Sequence, residues 1–140
     1  MKRNERDHIV LVSNQASETL GKKIATALSI QFTEMVRKQF TDGETYHAFP
    51  GEVAGKDVIV VGATHNSHSH QELMDLITGA RYWNAETVNV VIPYLGYSTM
   101  ERSKPDSGEV PKGITRTRQM FHAHPDFVVF IDLHSEAVLH

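Results

Sequence analysis

Three stretches of this 140-residue chain hold side chains that could do chemistry. The first is Ile131-Asp132-Leu133-His134-Ser135-Glu136. Asp132 and His134 are two apart, so on a strand their side chains leave the same face. A carboxylate and a neutral imidazole at a strand end can hold a divalent cation, or order the waters around Mg²⁺. A capping Asp132 beside an ordinary surface His134 fits the same spacing, and spacing alone leaves both open. The second stretch is Phe40-Thr41-Asp42-Gly43-Glu44. An aromatic ring followed by a turn with two carboxylates can stack on a base and accept hydrogen bonds from an exocyclic amine. On pattern alone, a plain hairpin turn with Phe40 in the core is the stronger reading. The third is Thr99-Met100-Glu101-Arg102, with Lys104, Lys112, Arg116 and Arg118 close behind. Such a group can clamp phosphates; a solvated basic loop and helix face fits equally well. His65, His68 and His70 invite a metal reading. Their spacing crosses a loop and a helix start, so a solvated histidine loop is the expectation. The chain has no Walker A loop, no G-x-S-x-G elbow and no G-x-G-x-x-G behind a strand.

The elements that must position these residues follow from the hydrophobic pattern. Residues 8–13 form a short apolar run read as a strand. Leu20, Ile24, Ala27 and Leu28 then recur at helical spacing, with Gly21 weakening the first turn. Residues 32–40 read as a half-exposed strand, and Asp42-Gly43 turns it back into a partner over 44–49. Residues 57–62 are a continuous apolar run. Ser69 and Glu72 match a capping box ahead of a helix whose inner stripe is Leu73, Leu76, Ile77 and Ala80. Residues 87–95 are a third apolar run, residues 96–113 a long polar loop, and residues 114–123 a short helix stopped by Pro125. Residues 127–133 read as the last buried strand. Unbroken apolar runs alternating with helices predict an α/β three-layer sandwich with a mostly parallel central sheet. Ligands of such folds bind at the carboxyl ends of the strands. Those ends hold Ser13-Asn14, Thr64-His65, Pro93-Tyr94 and Asp132 with His134.

Length and composition bound the rest. The chain is one domain's worth. Fourteen Lys and Arg against seventeen Asp and Glu give a net charge of −3, which excludes a globally basic nucleic-acid binder. Cysteine is absent, so disulfides, thiolate zinc sites and a cysteine nucleophile are excluded. No signal-peptide pattern or apolar run of membrane-spanning length occurs, so a cytoplasmic protein without a membrane partner is expected.

Taken in order, five motifs resemble one family. They are Phe40-Thr41-Asp42-Gly43-Glu44, Gly55-Lys56-Asp57-Val58, Glu72-Leu73-Met74-Asp75-Leu76, Val91-Ile92-Pro93-Tyr94-Leu95-Gly96-Tyr97 and Asp132-Leu133-His134. Their order and spacing are similar to the amino-terminal half of ribose-phosphate pyrophosphokinase (phosphoribosyl pyrophosphate synthetase), most securely from Phe40 to His134. The resemblance implies a phosphoribosyltransferase-like fold. It implies transfer of the β,γ-diphosphoryl group of ATP to the 1-hydroxyl of ribose 5-phosphate, with Mg²⁺ as cofactor, in a homo-oligomer. It implies that Phe40 stacks on adenine and that Asp42 and Glu44, with Gly43 between them, bond the adenine edge, commonly across a subunit boundary. It implies that Asp132 and His134 belong to the Mg²⁺-ATP site, His134 with a catalytic part.

Two departures accompany the resemblance. Family members carry Ala-Arg-Gln-Asp-Arg where this chain has Ser98-Thr99-Met100-Glu101-Arg102. Thr99 and Met100 therefore inherit no ATP contact, and Arg102 is the expected surviving one. The run is similar to a divergent branch of the same family. The family's second half, with its ribose 5-phosphate loop and catalytic lysine, has no counterpart here. Residues 1–140 are thus expected to be a single amino-terminal domain, a nucleotide-binding half without full turnover. A non-catalytic regulatory or associated subunit is the alternative, and a generic α/β ligand-binding module is a third.

Overall fold

The structure is a computed structural model that describes residues 6–133. Four parallel strands form the central sheet in the order β1-β4-β5-β6: β1 (Ile9–Ser13), β4 (Asp57–Val61), β5 (Thr87–Ile92) and β6 (Phe127–Phe130). A separate antiparallel hairpin is made by β2 (Val36–Gln39) and β3 (Thr45–Ala48). The helices are α1 (Glu18–Leu28), α2 (Ser67–Tyr82) and α3 (Lys112–His122).

Alternation along the strands divides the core. Val58 and Val60 of β4 and Val88, Val90 and Ile92 of β5 face Leu73, Leu76 and Ile77 of α2 and Met120 of α3. Leu11 and Val61 point the other way, against Ala25 of α1 and the half-buried Leu20, Ile24 and Phe32. The α/β three-layer sandwich with a parallel sheet is therefore as expected. The second apolar cluster is much the smaller, because α1 alone covers that face.

Several expectations need correction. On α1 the residues closest to the sheet are Gly21 and Ala25, whereas Ala27 and Leu28 are exposed. Gly21 also serves as a close contact: a Cβ there would lie 2.8 Å from the Phe32 ring. Residues 32–40 are not one strand. Phe32 makes an isolated parallel bridge to Leu11, and β2 starts only at Val36.

The capping box is also elsewhere. Asn66 is the N-cap of α2 and its Oδ1 accepts from the Ser69 N–H at 2.8 Å. Glu72 is a buried residue inside the helix. The loop after β5 contains a 3-10 turn at Ser98–Met100, and α3 begins at Lys112, ahead of the expected Ile114.

The last strand departs most. β6 ends at Phe130 rather than Leu133, and it is half-buried on one side and exposed on the other. Val128 and Phe130 pack on the core, while Phe127, Val129 and Ile131 are exposed, Phe127 by 63%. The unbroken apolar run predicts burial on both faces; among the described residues the α1-side cluster reaches no further than Val91 of β5, which leaves that face of β6 uncovered.

Candidate functional site

The carboxyl ends of the four parallel strands share one edge of the sheet, and polar residues hold that edge together. Asn14 is fully buried just past β1. Its Nδ2 donates to the Ala63 carbonyl at 2.8 Å and to the Ser69 carbonyl at 3.1 Å, and its Oδ1 accepts from Ser17 N–H at 3.2 Å. One side chain thus joins the ends of β1 and β4 to the first turn of α2. The ends of β4 and β5 are joined next: Thr64 N–H donates to the Tyr94 carbonyl at 3.0 Å, and Gly96 N–H donates to Thr64 Oγ1 at 3.1 Å.

Beyond Gly96 runs the basic segment. Tyr97 has a left-handed backbone with φ 62°, and its hydroxyl pairs with Ser67 Oγ at 2.8 Å. The Lys112 and Arg116 cations of α3 sit 5.9 Å and 5.5 Å from its ring centroid, within cation–π range. Gly113 lets α3 press on this turn, since a Cβ there would meet the Tyr97 carbonyl at 2.6 Å. Lys104 is engaged locally with Glu109, which also accepts from the Lys104 N–H at 3.1 Å. Arg118 is exposed on α3. Arg102 is exposed in the loop and has no ion-pair partner among the described residues. The expected phosphate clamp therefore divides: Lys112 and Arg116 gather on Tyr97, Lys104 folds onto its own loop, and Arg102 faces solvent.

Phe40, Asp42, Gly43 and Glu44 form the tip of the β2–β3 hairpin. Phe40 N–H donates to the Glu44 carbonyl at 2.8 Å, and Gly43 N–H to the Phe40 carbonyl at 3.0 Å. Asp42 Oδ1 accepts from the Glu44 N–H at 3.0 Å. Gly43, at φ +93°, takes the left-handed conformation the turn requires. The Phe40 ring is 49% exposed, so the reading with Phe40 in the core is overturned. A presented ring flanked by two carboxylates can stack on a flat π-system while the carboxylates accept from its amine edge.

Asp132 lies just past β6 with φ 59° and is exposed. It is outside the strand, so the argument that it shares a strand face with His134 does not hold. His134 itself lies outside the described residues. A hard, solvent-facing carboxylate is the donor a small divalent cation prefers.

The structure does not bring all these groups together. The hairpin is fastened at β1, whereas Asp132 follows β6 at the other edge of the sheet. Three strand spacings, about 14 Å, separate those edges. Arg102 follows β5, beside Asp132's strand.

The histidines split as well. His65 is exposed in the loop and His68 is exposed in the first turn of α2, but His70 is 4% exposed and its Nε2 is 3.0 Å from Gln119 Oε1 of α3. Burial pushes the His70 imidazole below its ordinary value, against the opposing effect of the Gln119 bond.

Two residues were missed. Arg37 Nε donates to Glu72 Oε1 at 2.7 Å, and Arg37 Nη2 to the Ser13 carbonyl at 2.6 Å. The signal was present: Glu72 falls on the same helical stripe as Leu73, Leu76 and Ile77, and a charge there must be paired.

Comparison with known proteins supplies the lineage. The family model described as the N-terminal domain of ribose phosphate pyrophosphokinase matches residues 9–121. This chain belongs to that family. A ribose-phosphate pyrophosphokinase of Thermoplasma acidophilum is 25% identical over 133 residues, covering 92% of this chain and 44% of the relative. A putative ribose-phosphate pyrophosphokinase 2 of Streptococcus pyogenes is 32% identical, covering 93% and 40%. The crystal structure of a phosphoribosylpyrophosphate synthetase from Mycobacterium smegmatis superposes with a TM-score of 0.84 at 21% identity, covering 94% of this chain and 45% of that one. The fold is therefore that of the amino-terminal part of phosphoribosylpyrophosphate synthetases. The chain spans less than half the length of these ribose-phosphate pyrophosphokinase relatives.

Proposed function

We propose that the chain is the nucleotide-binding half of a ribose-phosphate diphosphokinase. In the whole reaction the 1-hydroxyl of ribose 5-phosphate attacks the β-phosphorus of ATP. The bond from that phosphorus to the oxygen bridging to the α-phosphorus breaks, and AMP leaves with the bridging oxygen. The observation that carries this reading is Phe40, a large aromatic ring left half in solvent at a rigid turn with a carboxylate on either side of Gly43.

Each residue takes a distinct part. Phe40 stacks on adenine. Asp42 Oδ2 and the Glu44 carboxylate accept from the exocyclic amine, since Asp42 Oδ1 is already committed to the turn. Arg102, free of other partners among the described residues, meets phosphate oxygens with its planar fork. Asp132, with His134, would hold Mg²⁺, whose charge would offset that of the transferring phosphates. The hairpin and Asp132 stand on opposite edges of the sheet, and in this reading one nucleotide is shared by two copies, the hairpin of one meeting the Arg102–Asp132 side of its neighbour. Ribose 5-phosphate is the co-substrate, bound mostly by residues outside this chain.

The test is calorimetric titration with Mg-ATP, with Arg102→Ala beside the parent. Weaker binding by Arg102→Ala supports the reading, and equal affinity refutes the role of Arg102. AMP formation from ATP and ribose 5-phosphate by the longest product of the reading frame separates an enzyme from the alternative, a non-catalytic associated subunit. That alternative is favoured by Thr99 and Met100, uncharged and exposed in the turn before Arg102.

A further inference from the structure

The hairpin that presents Phe40 is fastened to the body of the molecule by residues with no part in the nucleotide reading. Arg37 of β2 and His47 of β3 are cross-strand partners. Both approach one carboxylate, that of Glu72 on α2, whose side chain is 2% exposed. Glu72 Oε1 accepts from Arg37 Nε at 2.7 Å and from the Gln15 N–H at 3.1 Å, and His47 Nε2 lies 3.8 Å away. His47 Nδ1 is 3.5 Å from Asp75 Oδ2, one turn further along α2. Arg37 Nη2 also reaches the carbonyl of Ser13 at the end of β1. A single buried oxygen thus gathers one residue from each hairpin strand and the backbone that follows β1.

A two-stranded hairpin on its own is marginal, and these strands have only four residues each. Its orientation must come from what it is tied to. The tie is demanding, because swinging the hairpin away strands a buried carboxylate without its cation. Phe40 begins three residues beyond Arg37, so a change of angle at the clamp is carried directly to the tip.

We propose that Glu72, Arg37 and His47 are positioning residues that fix the angle at which the hairpin offers Phe40, Asp42 and Glu44 to the nucleotide. This rests on the reading of the tip as an adenine platform. The clamp adds little net stability, since a buried ion pair replaced whole by apolar side chains of similar size is often tolerated; what it confers is one orientation.

The experiment compares the parent with Arg37→Met/Glu72→Met, with Phe40→Ala, and with the triple variant. Mg-ATP affinity is read by calorimetry, and backbone amide exchange is read over residues 36–48 and over the central sheet. The expected result is a clamp variant that keeps the exchange protection of the sheet, exchanges faster across the hairpin, and binds Mg-ATP about as weakly as Phe40→Ala. The triple variant should then be no weaker, because a mispositioned ring has nothing left to lose. Phe40→Ala binding weakly while the clamp variant binds like the parent overturns the proposal. Phe40→Ala binding like the parent overturns the adenine reading instead, and hairpin exchange then decides the clamp: unchanged exchange over residues 36–48 ends it. If the double variant does not fold, Glu72→Gln, which keeps an acceptor for Gln15 and Arg37 but removes the charge, carries the same comparison.

Discussion

Gly96 has no room for a side chain. A Cβ there would stand 1.8 Å from the Thr64 carbonyl oxygen, inside any van der Waals contact, so the backbones after β4 and β5 touch directly. Gly96→Ala is expected to force those loops apart, break the Gly96–Thr64 bond and cost about 3 kcal/mol; a thermal or urea midpoint equal to the parent's would contradict this. Phe40 presents the opposite case. Its ring is exposed, so Phe40→Ala should leave stability within about 0.5 kcal/mol. Mg-ATP affinity should instead fall roughly fivefold to a hundredfold, the range of a lost base stack. Calorimetry and a denaturant midpoint on the same sample separate the two effects. At this scale the sequence was partly legible. The Phe40–Glu44 run could be singled out by type, but whether its ring is buried depends on where the hairpin sits, which no local pattern specifies. Ser69 and Glu72 satisfy the capping spacing, yet the helix starts earlier, at Ser67, so Asn66 takes the N-cap and accepts from the Ser69 N–H.

The elements were legible wherever periodicity decided them. The runs at 57–62 and 87–95 alternate cleanly between the two apolar clusters, and α2 buries the expected Leu73, Leu76, Ile77 and Ala80. β6 was not legible, because FVVFI reads the same whether one face or both are covered. Its exposed side now makes a sharp contrast possible. Val129→Lys, on the open face, should shift stability by no more than about 0.5 kcal/mol. Val90→Lys, at a fully buried position of β5, would place a cation among Val60, Leu76 and Ile77 and should abolish folding. Circular dichroism of the two variants checks this; loss of structure in Val129→Lys would mean that the open face is packed. The pattern over 96–113 reads as one polar span, yet the segment contains an ordered 3-10 turn locked against Gly113. Close backbone approach of this kind leaves no mark on hydrophobic spacing.

At the scale of the whole molecule, the architecture followed from four apolar runs alternating with helices, and the family from five motifs in order. What the sequence could not convey is how the two helices on the larger cluster are joined through polar contacts. His70 of α2 is buried against Gln119 of α3, with the Arg116 cation nearby. Burial lowers its pKa in the folded state from an ordinary value of 6.5, with Arg116 acting in the same direction. The unfolded chain therefore binds the proton first as the pH falls, and linkage makes stability rise with pH wherever the unfolded state holds more protons. His70 thus contributes its full share above pH 6.5. That share declines as the pH drops below 6.5 and stops declining once the folded-state imidazole is itself protonated. The chain has eight other histidines, so the measurement is a difference. Urea midpoints of the parent and of His70→Gln, taken from pH 8 to pH 5, should show a steeper acid loss in the parent. Parallel curves would mean that protonated His70 is accommodated at the α2–α3 contact, with Gln119 Oε1 accepting from the imidazolium well enough to offset its burial.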